Sequence, residues 1–223
     1  LLDATHEYYL AKNKFSSRGI KVGDVSIDLP TLMSFKQKVV RQLTGGVGSL
    51  VKKNKITHIK GNARLLSAST VEVTAEGGKQ TVEAKRILVA TGSKPVELPA
   101  AKVDGKHIVD STGALSFDSI PKKLLVIGAG AIGLELGSVW SRLGSEVTYV
   151  EFLQNIAGAA DAEIAALLQK SLEKQGMSFR LGAKVTATSI KGGKVTVTYE
   201  TGGKSESVEV DRVLVSVGRK PAI

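Results

Sequence analysis

The 223-residue sequence contains no cysteine. That absence excludes a disulfide scaffold, thiolate metal sites and cysteine nucleophiles within the chain, and no metal site is expected. Aromatic residues make up only 4% of it, which leaves little on which to stack nucleic-acid bases. No apolar run approaches the roughly 18 residues that a membrane span needs, so no membrane association is expected. The opening residues, LLDATHEYYLAK, have neither a basic start nor a signal-like apolar core, and nothing in them marks the chain for secretion. Acidic residues are in deficit, giving a formal net charge of +10. Lysine-rich faces bind phosphate backbones by counterion release. Here, however, the lysines are scattered, often as pairs at element ends such as Lys52 with Lys53 and Lys122 with Lys123. The excess reads as a solvated basic surface, and no nucleic-acid partner is expected.

What the sequence does have is one stretch of concentrated meaning, Leu124 to Glu151. Leu124, Leu125, Val126 and Ile127 are a wholly apolar run, as expected of a parallel strand buried on both faces. Gly128 permits a tight turn, Gly130 lets the backbone approach a pyrophosphate, and Gly133 lets the following helix pack closely on the strand. That helix carries Leu134, Leu136, Val139, Trp140 and Leu143, stops at Gly144 and leads into an apolar strand, Val147 to Val150. Its N-terminus offers free N–H groups and a positive dipole end to phosphates. Glu151 stands 23 residues past Gly128, close to the ~20 expected for the acid that accepts hydrogen bonds from an adenosine ribose. The same carboxylate would repel a 2′-phosphate, and Phe152 and Leu153 bring no arginine to receive one. The reading is NAD rather than NADP.

Around this stretch the chain divides. Leu2 to about Phe15 reads as an amphipathic helix. Asp28-Leu29-Pro30 opens a second helix to about Asn54, expected to be weakened or kinked at Gly45, Gly46 and Gly48, since each interior glycine costs roughly 1 kcal/mol against alanine. Short strands are expected at Ile56–Ile59, Arg64–Leu66, Val71–Val73 and Thr81–Ala84, with a hairpin tip at Gly77-Gly78. Arg86–Ala90 reads as another buried strand, running into Thr91-Gly92-Ser93. From Lys94 to Pro121 the prolines mark a connection with one helical turn near Ser111–Leu115. Beyond Glu151 come a helix, Asp161–Gln175, with Ile164, Leu167, Leu168 and Leu172 on one face, and a strand, Ser178–Leu181. A second meander comes next, Lys184–Ile190, Val195–Tyr199 and Ser205–Val210, and then a last apolar strand, Arg212–Val217. Each half thus ends in a meander, a basic residue, an apolar strand and a glycine: KRILVATG and DRVLVSVG. This internal similarity suggests two doubly wound domains of one design.

These residues resemble the flavin-dependent pyridine nucleotide-disulphide oxidoreductases. The phrases IGLELGSVWSRLGSEVTYVE, SLEKQGM and LVSVGRKP resemble the dihydrolipoyl dehydrogenase branch most closely. The resemblance implies an α/β protein with two Rossmann-like domains for FAD and NAD(P), each three-layered with an antiparallel meander, the first incomplete. Residues 1–97 would be the carboxyl-side part of the FAD-binding domain, 98–217 the NAD-binding domain, and 218–223 the start of the return to the FAD domain. It implies that Gly128, Ala129, Gly130, Ala131, Ile132, Gly133 and Leu134 hold NAD through its pyrophosphate. Ala131 would leave open the entrance through which nicotinamide reaches the flavin, and Glu135 would reach the nicotinamide end. Glu151 would take the ribose, and Val185 and Gly218 would line the two sides of NAD. Ala63, Thr91, Gly92 and Ser93 would lie against FAD.

The resemblance also implies parts beyond this chain. The first βαβ unit and the two redox cysteines are expected upstream of Leu1, and a flavin-binding aspartate and an interface domain with a His/Glu pair downstream of Ile223. His6, His58 and His107 do not sit in the matching context, so no catalytic residue is expected here, and the chain alone is expected to be inactive. In the intact enzyme, dihydrolipoamide borne by a 2-oxoacid dehydrogenase complex or a glycine cleavage system would be oxidised through the disulfide and FAD, and NAD reduced. The expected compartment is the bacterial cytoplasm or the mitochondrial matrix. The family homodimer is built largely by the interface domain, so this chain is expected to be monomeric or poorly associated. One departure is local: Ala157-Gly158-Ala159-Ala160 replaces the usual proline or bulky residue before Asp161, and a more mobile loop is expected. Two alternatives stay open, another FAD-dependent disulphide reductase of the family and a non-catalytic NAD(H)-binding module. A dehydrogenase of another kind would need its own acid or base, and none stands out.

Overall fold

The computed structural model describes residues 1–223. In chain order the first elements are α1 (Leu2–Asn13), α2 (Leu29–Lys53), β1 (Asn62–Leu65), β2 (Thr70–Ala75), β3 (Gly78–Glu83) and β4 (Ser93–Pro95). Next come β5 (Ile108–Val109), α3 (Ser111–Ala114), β6 (Lys123–Ile127), α4 (Ala131–Leu143), β7 (Glu146–Val150), α5 (Ala162–Glu173) and β8 (Ser178–Arg180). The last are β9 (Lys184–Lys191), β10 (Lys194–Thr201), β11 (Lys204–Val210), β12 (Arg212–Val215) and β13 (Arg219–Pro221). They fall into two compact units, one of Leu1–Ser34 with Ser93–Pro221, the other of Phe35–Gly92 with Ala222–Ile223.

In the first unit a five-stranded sheet runs in the order β5-β12-β6-β7-β8, and every pairing is parallel. Parallel sheets need both faces covered, and the sequence of β6 shows how this is met. Leu124 and Val126 join one buried cluster with Leu136, Val139 and Trp140 of α4 and with Leu29 and Leu32. Leu125 and Ile127 join a second cluster with Val195, Val197 and Tyr199 of β10. The result is helices, sheet and meander in three layers, the meander ordered β11-β10-β9. Each fully buried Leu or Val contributes about 1.5–3 kcal/mol. Trp140 is anchored through an Nε1–H donated to the Ala114 carbonyl at 3.1 Å and packs on Phe117, ring centroids 4.9 Å apart. Asp211 ties the layers together. It accepts from the Lys123 N–H at 2.7 Å and pairs with Lys194, and these contacts, the lysine foremost, hold its carboxyl below the ordinary carboxylate range. The edge strand β5 was not legible in the proline-rich connection, being only two residues long.

In the second unit β1-β2-β3 form the expected antiparallel meander, turning at Glu76-Gly77. Three expectations are corrected here. The helix is unbroken through Gly45, Gly46 and Gly48; strong helix formers on both sides carry it across them. Ile56–Ile59 and Arg86–Ala90 form no strand. Arg86–Ala90 has no pairing partner in the chain, and Leu88 is 90% exposed; an apolar segment becomes a buried strand only when neighbours supply its ladder. The KRILVATG and DRVLVSVG segments therefore differ here: only the second is a strand, β12.

One further correction concerns the first unit. In α5 the apolar residues are not all on the packed face: Leu172 is buried together with Ala165, whereas Ile164, Leu167 and Leu168 are exposed. Apolar spacing marks an arc of a helix, and here small Ala165 makes the close contact. Gly158, Ala159 and Ala160 are exposed, and the chain leading into them is anchored. Ile156 is fully buried, and the Ala157 N–H donates to the Ala129 carbonyl at 2.8 Å.

Candidate functional site

At the carboxyl ends of the parallel strands the order of the sheet reverses around β6, with β12 on one side and β7 on the other. Crevices form at such switch points. Here a cleft of about 710 Å³ opens in the first unit, lined by residues just past the ends of β6, β7 and β12 together with Leu98, Lys184 and Val185.

The glycine turn is built by steric necessity. Gly128 has φ +96°, and a Cβ there would stand 2.6 Å from the Ser216 carbonyl oxygen. At Gly133 a Cβ would stand 2.2 Å from the Gly128 carbonyl oxygen and 2.6 Å from Ser216 Oγ. Gly130 differs: nothing lies within 4 Å of its Cβ position, so its backbone borders open space. That is the cradle a pyrophosphate requires, at the N-terminus of the 13-residue helix α4. Gly130 caps this helix without a side chain, which leaves the first-turn N–H groups unclaimed.

Glu151 lies just past β7 and reaches back into the turn. Its Oε2 accepts from the Ala129 N–H at 2.6 Å and its Oε1 from the Leu153 N–H at 2.8 Å. A carboxylate has about four acceptor positions, so about two remain for a ribose diol. Gly128, Gly130, Ala131, Ile132, Glu151, Val185 and Gly218 line the cleft together. Ala129 and Leu134 are buried beneath it, and Gly133 serves by packing. Glu135 is exposed on α4 and is not among the lining residues.

Of the residues expected beside FAD, Ala63 pairs with Val73 across β1 and β2. Thr91 and Gly92 are exposed, Gly92 with φ +74° and open space at its Cβ position, a geometry that suits close approach of a cofactor to the backbone. These three belong to the second unit and Ser93 to the first. Ser93 is gripped by Arg219, whose Nε donates to Ser93 Oγ at 2.7 Å and whose Nη2 donates to the Ser93 carbonyl. Among the lining residues that the sequence reading missed are Leu98, Gly158, Ala183, Lys184, Ser216, Val217 and Arg219. The signal that could have found 216–219 is their place directly after a parallel strand, where such clefts are lined; Leu98 and Gly158 carry no such signal.

No group of three or more acidic or histidine side chains could hold a metal ion, and no helix is long and apolar enough to cross a membrane.

The chain is 52% identical over 226 residues to the mitochondrial dihydrolipoyl dehydrogenase of Dictyostelium discoideum, covering 99% of this chain and 46% of that protein. It is 45% identical over 227 residues to the human mitochondrial enzyme of the same name, covering 99% and 45%. The chain thus spans less than half the length of these relatives. Among solved structures, the HOCl-induced flavoprotein disulfide reductase RclA of Escherichia coli superposes with a TM-score of 0.75 at 28% identity, over 88% of this chain and 44% of that one. LpdA of Mycobacterium tuberculosis shares the fold, with a TM-score of 0.85 at 24% identity over 98% and 48%. The family model for pyridine nucleotide-disulphide oxidoreductases matches residues 3–223, and the chain belongs to that family.

Proposed function

We propose that this chain is the NAD-binding portion, with part of the FAD-binding portion, of a dihydrolipoyl dehydrogenase. The observation that carries the reading is the cleft beside β6, where an open Gly130 backbone for the pyrophosphate and the Glu151 carboxylate for the adjoining adenosine ribose stand next to each other. The identity to dihydrolipoyl dehydrogenases over the whole chain supports it. The domain division stays as read from the sequence: 98–217 for NAD, with 1–97 and 218–223 for FAD.

In this reading the first-turn N–H groups of α4 neutralise the pyrophosphate. Glu151 accepts from the ribose hydroxyls and repels a 2′-phosphate, while Lys184 and Arg219 supply positive charge to the cleft wall. Val185 and Leu98 exclude water from the apolar faces of the ligand, and Gly218 borders its nicotinamide side. Glu135 orients the nicotinamide end. Ala63, Thr91, Gly92 and Ser93 would border FAD, which when bound supplies the hydride chemistry that no side chain of this chain provides.

The substrate of the intact protein would be dihydrolipoamide carried on a 2-oxoacid dehydrogenase complex or a glycine cleavage system, and the intact protein would be a homodimer. The relatives from Dictyostelium discoideum and human are named as mitochondrial, and the mitochondrial matrix or the bacterial cytoplasm is the proposed location. The test is dihydrolipoamide-dependent reduction of NAD by the intact protein. Activity that Glu135→Gln lowers by reducing flavin-to-NAD transfer supports the reading. An intact protein that binds FAD and NADH yet fails to oxidise dihydrolipoamide overturns it.

A further inference from the structure

We propose that Ser216 is a positioning residue that locks the first peptide of the glycine turn for pyrophosphate binding; this rests on the dinucleotide reading of the cleft. The peptide joining Gly128 to Ala129 has two polar ends, and each is held from a different flanking strand. Its N–H, on Ala129, donates to Glu151 Oε2 at 2.6 Å from the end of β7. Its carbonyl, on Gly128, accepts from Ser216 Oγ at 3.0 Å from the end of β12. The same hydroxyl lies 3.1 Å from the Ile127 carbonyl oxygen, which already receives the Ser216 N–H at 2.8 Å.

The consequence is directional. With φ of +96° at Gly128, this peptide can rotate at modest cost unless both ends are tethered. Rotation would turn a carbonyl oxygen toward the cleft, where a pyrophosphate requires N–H groups. The next carbonyl, on Ala129, is held away by the Ala157 N–H at 2.8 Å. Two consecutive carbonyls are thereby withdrawn, and the N–H groups from Gly130 onward face the anion unopposed. Ser216 also backs Gly133, whose Cβ position lies 2.6 Å from Ser216 Oγ, so the clamp and the helix start are packed as one piece. Preorganisation of this kind lowers the ordering cost of binding. Losing the hydroxyl leaves the Gly128 carbonyl without its donor, worth about tenfold in affinity.

The experiment uses the 223-residue chain and follows NADH binding by energy transfer from Trp140, the single tryptophan, with ADP and adenosine as competitors. Ser216→Ala is expected to weaken NADH and ADP by about tenfold, to leave adenosine competition unchanged, and to be rescued by Ser216→Thr, which restores a hydroxyl. If Ser216→Ala does not fold, Ser216→Cys gives the same comparison with a weaker donor. Unchanged NADH affinity in the folded variant overturns the proposal, as does an equal loss for ADP and adenosine, which would mark a general structural role. A wild-type chain that binds no NADH overturns the dinucleotide reading itself, and this proposal with it.

Discussion

A Cβ at Gly137 would stand 2.0 Å from the Tyr149 hydroxyl oxygen, at the crossing of α4 over β7. Tyr149 is fully buried, stacked on Phe179 at 4.7 Å, and cannot retreat. Gly137→Ala is therefore expected to destabilise the chain by about 1–3 kcal/mol, measured by urea unfolding, while Gly133→Ala is expected to cost NADH affinity as well as stability. The difference also shows what single residues disclose. Gly133 was legible because the GxGxxG spacing states its role, and Glu151 because it stands at the expected distance. Gly137 was not, since its requirement comes from a tyrosine on the next strand and only the packed fold brings the two together. Asp211 allows a prediction in pH. Its folded carboxyl is held below the ordinary range by Lys194 and by backbone N–H groups, so the stability it adds is fully present above the unfolded value of ~3.9. That stability is lost as pH falls through the lower folded value. Asp211→Asn should unfold more easily at neutral pH, by about 1–2 kcal/mol, and the gap to wild type should close in acid; a gap that widens on acidification would contradict the assignment.

Among the elements, β6, α4 and β7 were legible almost to the residue, because a doubly buried strand, a glycine turn and an amphipathic helix each leave a distinct periodicity. The elements misread are those whose state depends on a neighbour. Arg86–Ala90 has the composition of β12 but no partner strand, and α5 turns a different part of its apolar arc inward. Helix α2 gives a cleaner test of local propensity against context. Nothing lies within 4 Å of the Cβ positions of Gly45, Gly46 and Gly48, so alanine at each meets no obstacle. Each substitution is expected to stabilise α2 by up to about 1 kcal/mol, seen as slower amide exchange along the helix. Unchanged or faster exchange would show that the glycines serve a contact not made within this chain.

For the whole molecule, burial is distributed very unevenly. The clusters on both sides of the parallel sheet account for nearly all of the core, whereas between Phe35 and Gly92 only Val73 is buried. Along α2, Phe35, Leu43, Val47 and Leu50 are each more than half exposed. Stability tracks buried apolar contact, so amides of β1–β3 and of α2 beyond Ser34 are expected to exchange far faster than those of β6, β7 and β12. Uniform protection across both regions would contradict this. The parallel α/β architecture of the first unit was legible from the glycine turn and the apolar strands around it. The imbalance was not, because a sequence pattern shows which residues are apolar and not whether the chain supplies something to cover them.

In the proposed function the cleft beside β6 takes NAD, and Glu151 discriminates against the phosphorylated dinucleotide. Titrating the chain with NADH and with NADPH, read by energy transfer from Trp140, tests it most directly. NADH should bind at least about tenfold more tightly, a difference of about 1.4 kcal/mol, and Glu151→Gln should narrow the gap by removing the charge that repels the 2′-phosphate. Equal or tighter binding of NADPH to the wild-type chain would contradict the account.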